Sequence, residues 1–143
     1  MTENPYSKSQ TPDLKTKILS LIEGLYYPSE SDEPLEYVEF ELTIEKERIP
    51  LLTFRQFLGI RIETLIQHIE ISDFFKPLLK IEDYFDESDL KQVEKAKSLQ
   101  QLLLENLKET EVLRVGETEV TVYVIGKTPQ NTLAGIKTLL IET

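Results

Sequence analysis

The sequence predicts an α+β fold: a mixed, largely antiparallel sheet with helices packed on its faces. Two observations carry that expectation. Stretches of helical and strand periodicity alternate along the chain. The runs Glu111–Val115 and Thr118–Ile125, joined by the turn residues Gly116-Glu117, read as a β-hairpin, which excludes a wholly parallel sheet. Length fits as well, since 143 residues, 40% hydrophobic and 29% charged, can bury one core without disulfide or metal support.

Residues 1–10 are polar with nothing to bury and read as a flexible tail, leaving residues 11–143 as a single domain. Thr11, Pro12 and Asp13 suggest an N-cap, a proline at the first helical position and an acid on the helix dipole. Leu14, Ile18, Leu21, Ile22 and Leu25 then recur at helical spacing, predicting a helix that runs to about Glu23–Tyr26 and stops at Gly24 and Pro28. Ser29 to Pro34 reads as an acidic loop. Tyr37 to Ile44 alternates, with Val38, Phe40, Leu42 and Ile44 on one face, as a half-buried strand does. Thr53 to Leu58 reads as a short capped helix ending at Gly59. Ile62, Leu65, Ile66 and Ile69 keep helical spacing, while the β-branched density near Ile69-Glu70-Ile71 favours a strand over Leu65–Ile71. Ser72 or Asp73 is expected to cap a short helix through Phe74, Phe75 and Leu78, limited by Pro77. The strongest helical pattern covers 88–108, with Ser88 as its cap. After the hairpin, Gly126 to Gly135 reads as a loop and Ile136–Glu142 as a last strand.

Charge narrows the function. With 16 Lys and Arg against 26 Asp and Glu, the net charge of −10 repels a phosphate backbone, which argues against direct nucleic-acid binding. The acidity is concentrated. Ile18 to Glu45 holds eight acids and no Lys or Arg, and Ile81 to Leu90 holds five acids and no basic residue. Two such blocks could form one negative face for a strongly positive partner, or they could be solvated loops that keep the protein soluble. The absence of Cys excludes disulfides and Cys-ligated metals. No apolar run approaches the roughly 18 residues of a membrane span, and Met1 to Gln10 lacks a signal-peptide layout. A soluble cytoplasmic protein is the expectation.

Catalysis finds little support in the residues. His68 is the single imidazole, so a two-histidine metal site is impossible, and its apolar surroundings in sequence suit a structural role. No nucleophile elbow or phosphate loop is present. Asp83–Asp89 lacks the central Gly and terminal Glu of a calcium loop. A hydrolase built on His68 and nearby carboxylates is the weakest reading, and a binding protein without cofactor or metal of its own is favoured by exclusion.

The C-terminal third adds a resemblance. Glu117-Thr-Glu-Val-Thr-Val-Tyr-Val-Ile-Gly126, Lys127-Thr-Pro129, Leu133-Ala-Gly-Ile136 and Glu142-Thr143, approached by Leu102–Arg114 with Asn106-Leu-Lys108, resemble the nuclease A inhibitor family of cyanobacteria. Gly24-Leu25, Ser29-Glu30-Ser31, Pro34 and Phe74-Phe75 fit the same family. The resemblance is strongest over 99–143, recognisable over 14–36 and weak over 37–68. It implies a small α/β/α sandwich that inhibits a sugar-nonspecific DNA/RNA endonuclease of the ββα-metal type. Acidic and polar groups would plug the nuclease cleft, and the C-terminal Thr would approach the nuclease's magnesium. Carried onto this sequence, the partner-binding residues are Glu30 with its neighbours Ser29 and Ser31, then Glu82, Glu142 and Thr143. Glu82 stands where the best-known member of that family has a contacting glutamine, so two N–H donors are exchanged for a charge. Tyr84 and Phe85 beside it read equally as interface aromatics or as core. The expected behaviour is that of a monomer binding one nuclease. The alternative is an acidic module of the same fold that meets a different basic partner, supported by the divergent 37–68 segment.

Overall fold

The computed structural model describes residues 13–41 and 50–142. Among the described residues four helices, α1 (Leu14–Ile22), α2 (Leu51–Leu58), α3 (Ile71–Leu79) and α4 (Glu87–Asn106), accompany two sheets. The larger sheet has five strands: β3 (Glu36–Phe40), β4 (Ile66–Ile69), β5 (Lys108–Val115), β6 (Glu119–Lys127) and β7 (Leu133–Ile141). Their order is β3-β7-β6-β5-β4, and among the described residues every pairing is antiparallel, where the sequence allowed a mixed sheet. A separate two-stranded ladder joins β1 (Tyr26–Tyr27) to β2 (Glu33–Pro34).

Strand alternation divides the core between the two faces of the sheet. Val112, Val120, Val122, Val124, Ala134, Ile136 and Leu140 meet buried residues of α1, α3 and α4: Ile18 and Ile22, Phe74, Phe75 and Leu78, and Ala96, Leu99 and Leu103. The opposite parity, Leu113, Ile125 and Leu133, meets Phe54 of α2. Helices therefore cover both faces, as an α/β/α arrangement requires.

Several boundaries differ from expectation for definite reasons. The N-cap of α1 is Asp13, whose carboxylate accepts from the Thr16 amide at 2.8 Å, and Thr11 lies outside the described residues. The cap of α4 is Asp86, not Ser88. Asp86 and Asp89 each accept from the other's backbone amide, and that reciprocal box satisfies two otherwise orphaned donors where a lone serine would satisfy one. Helix α2 starts at Leu51, two residues before Thr53, and ends as expected at Gly59 in left-handed conformation. Helix α3 starts at Ile71 with Glu70 in the cap position, and Pro77 sits inside its last turn. The expected strand over 65–71 is accordingly shorter, Ile66–Ile69. Strand β3 is described to Phe40, with Leu42 and Ile44 outside the described residues.

The loop expected over Gly126–Gly135 shrinks to residues 128–132, because both glycines lie in paired strand. Gly135 has φ 159°, and a Cβ there would lie 1.9 Å from the Val124 carbonyl oxygen, so it permits close strand approach rather than a turn. The acidic stretch 29–34 likewise ends in β2 instead of remaining wholly loop. That ladder is held to the sheet by buried Thr138 of β7, whose hydroxyl donates to the Pro34 carbonyl at 2.9 Å.

Candidate functional site

Tyr26-Tyr27 and Glu33-Pro34 pair as a short ladder and so present the segment between them at its tip. Within that tip the Ser29 amide donates to Asp32 Oδ1 (3.2 Å), and the Ser31 amide to Ser29 Oγ (3.3 Å). The side chains of Asp32 and Ser29 thus satisfy the backbone, and Asp32 adopts a positive φ of 43°. Tyr27 anchors the tip from below. Its ring stacks on Phe74 at 4.6 Å, and its hydroxyl donates to the Phe74 carbonyl at 2.6 Å. Burial pushes this phenol up to about 12, a rise that the nearby Arg114 opposes and Glu142 reinforces.

Between the tip, α3 and the sheet lies a cleft of about 590 Å³. The tip contributes Pro28, Ser29 and Glu30, and α3 contributes Asp73, Phe74 and Pro77. Ile69, Arg114, Val122 and Leu140 form the floor, and Glu142 closes one side just beyond the last residue of β7. Arg114 Nη2 lies 2.5 Å from Glu142 Oε1. One guanidinium therefore serves a cleft lined by three carboxylates, those of Glu30, Asp73 and Glu142.

Of the residues picked from sequence, the fold brings together Ser29, Glu30 and Glu142, although more than a hundred positions separate the first two from the third. Ser31 stays exposed on the same tip without lining the cleft. Glu82 is not a lining residue either. It lies between α3 and α4 and pairs with Lys80 at 3.3 Å. Its neighbours Tyr84 and Phe85 line an adjacent groove of about 470 Å³, together with Tyr26, Asp32 and Asp89. Pro28 and Pro77 border both hollows, and Asp32 and Asp89 bring members of both acidic blocks into one groove. Tyr84 is 80% exposed, which removes it from the core. Thr143 lies outside the described residues.

Sequence reasoning missed Arg114, Tyr27 and Asp73. A signal for Arg114 existed: it shares the parity of Val112 along β5 and so had to point into the three-helix face. His68 sits on the other face of the sheet, its Nδ1 3.2 Å from Glu111 Oε1, away from the cleft. Among the described residues no group of three or more His, Asp or Glu is placed to hold a metal, and no helix is long and apolar enough to cross a membrane.

A family model described as nuclease A inhibitor-like protein matches residues 12–143. The chain belongs to the nuclease A inhibitor-like family. The match runs through 37–68, where the motifs of resemblance are weakest. No curated protein matches the chain. Membership in a nuclease A inhibitor-like family suggests a nuclease inhibitor role and implies binding to a nuclease.

Proposed function

We propose that this nuclease A inhibitor-like protein blocks a sugar-nonspecific DNA/RNA endonuclease of the ββα-metal type by occupying its active-site cleft. The observation that carries the reading is the convergence of Glu30 and Glu142 on one cleft from opposite ends of the described chain. A nuclease cleft is positively charged because it holds phosphates, so a protein of net charge −10 is steered toward it and competes with substrate. Glu30, flanked by the hydroxyls of Ser29 and Ser31, supplies the charge that replaces a phosphate. Glu142 supplies a second carboxylate, and Thr143, next in sequence, offers an oxygen to the nuclease's own magnesium, which accepts hard oxygen ligands. Glu82, two residues before the exposed Tyr84 of the adjacent groove, adds a further carboxylate for the partner. The protein acts as a cytoplasmic monomer, one per nuclease, with no cofactor.

The test is a titration of nuclease activity with the purified protein. A sharp one-to-one endpoint supports inhibition. Glu30→Ala should weaken inhibition at least tenfold, since truncating a buried interface charge typically costs about 2–5 kcal/mol. Thr143→Val should weaken it more than Thr143→Ser, which keeps the oxygen. Undiminished nuclease activity at excess inhibitor, or equal inhibition by Glu30→Ala and parent, would refute the reading.

A further inference from the structure

We infer that Arg114 is a positioning residue of the inhibitory surface: it fixes the Glu142 carboxylate before the nuclease arrives. The inference rests on the proposed inhibition and extends it to a residue that need not touch the partner.

Three observations point this way. First, Arg114 does not fit its surroundings as a packing residue. It lies on the buried parity of β5, among Ile69, Val122 and Leu140, where an apolar side chain would fill the space without losing hydration. Its Nε is buried and has no hydrogen-bond partner among the described residues, a cost that fold stability alone gives no reason to bear. Second, the guanidinium has a definite target. From β5 it reaches across β6 to Glu142, holding the carboxylate at 2.5 Å. Third, Glu142 needs a lateral restraint. It lies one residue beyond the end of β7, where the ladder to β6 stops with Ile141 opposite Glu119, and its amide keeps one hydrogen bond, to the Thr118 carbonyl at 2.8 Å. A residue past the last strand pair frays unless something ties it down.

Fixing Glu142 in the free protein removes part of the ordering cost at binding, which is the physical content of preorganisation. It also lets three carboxylates share one cleft, because the guanidinium offsets their mutual repulsion.

The experiment compares Arg114→Met, neutral and of similar reach, with Arg114→Lys, alone and combined with Glu142→Gln. Arg114→Met should raise the inhibition constant about tenfold, and Arg114→Lys should recover most of that loss. In the Glu142→Gln background, Arg114→Met should change inhibition less than in the parent, because the carboxylate charge it pairs with is already gone. Amide hydrogen exchange in the free protein is the readout that needs no nuclease. In Arg114→Met the Glu142 amide should exchange at least fivefold faster, with the Val122 and Val124 amides unchanged, which also shows that the sheet remains folded. Equal losses in both backgrounds, or unchanged exchange at Glu142, would overturn the inference. If the parent fails to inhibit, the nuclease reading falls, while amide exchange still decides the role of Arg114.

Discussion

The two faces of the central sheet are built to different depths. On one, α1, α3 and α4 enclose an apolar layer in which Ile18, Phe75, Leu99 and Leu103 have no exposed surface. On the other, α2 is the only helix among the described residues, and it shelters a smaller cluster: Phe54, Leu113, Ile125 and Leu133. That thinner face relies on aromatic contacts, with Phe54 edge-on to Tyr123 at 5.3 Å and to Phe40 at 6.3 Å, while Leu52 and Phe57 of α2 stay exposed. The cleft belongs to the deep face, where Phe74 forms both core and cleft wall. The contrast teaches where a binding surface can be precise. The side chains that line the cleft are mounted on the more deeply buried layer.

The comparison can be broken by truncating each layer. Phe75→Ala on the deep face should cost about 3–5 kcal/mol and unfold the protein as one unit in denaturant titration. Phe54→Ala should cost about 3 kcal/mol, at the low end of that range, because solvent already approaches α2. Its signature should be local: faster amide exchange in α2, with β6 still protected. Equal and global effects of both variants would mean that the two faces do not differ in depth.

Alkali sharpens the contrast. The folded protein keeps the Tyr27 proton to about 12, whereas an unfolded tyrosine releases it near 10. Between those values the native state binds more protons than the unfolded one, so stability falls as pH rises, and the contribution is whole only below about 10. Tyr27 should contribute to that loss, and Tyr27→Phe should flatten the curve accordingly. Tyr123, on the thin face, is also raised by burial, and Tyr123→Phe should flatten the curve less. The smallest effect is at the capping box, where Asp86→Ala removes the acceptor for the Asp89 amide and should be read as a small drop in melting temperature.

The parts of the fold legible in sequence are those with long periodic patterns. Helix α4 and the β5–β6 hairpin repeat their apolar positions often enough for a period to emerge. The β1–β2 ladder has two residues per strand, too few for alternation to register, and it is fixed by Thr138 from a strand over a hundred residues away. Gly126 and Gly135 carried the local signal of a turn, yet close strand approach decided their place. Asp86 and Ser88 are both good caps alone, and only the pairing with Asp89 selects between them. In the cleft, Glu30 and Glu142 were legible through resemblance and Arg114 only through parity. Their meeting was not legible, since no local rule places β7 between β3 and β6.

That placement of β7 has a consequence in time. Its partner β3 is joined through pairs such as Glu36 with Lys137, about a hundred residues apart, and its other partner β6 must already be formed or form with it. During synthesis Glu30 leaves the ribosome long before Glu142, and throughout that interval one wall of the cleft has no opposite wall. Long-range closures of this kind are slow steps in folding. A growing chain therefore carries its acidic tip without the carboxylate that faces it, and the two-walled cleft is completed by strand closure, not by the appearance of Glu30.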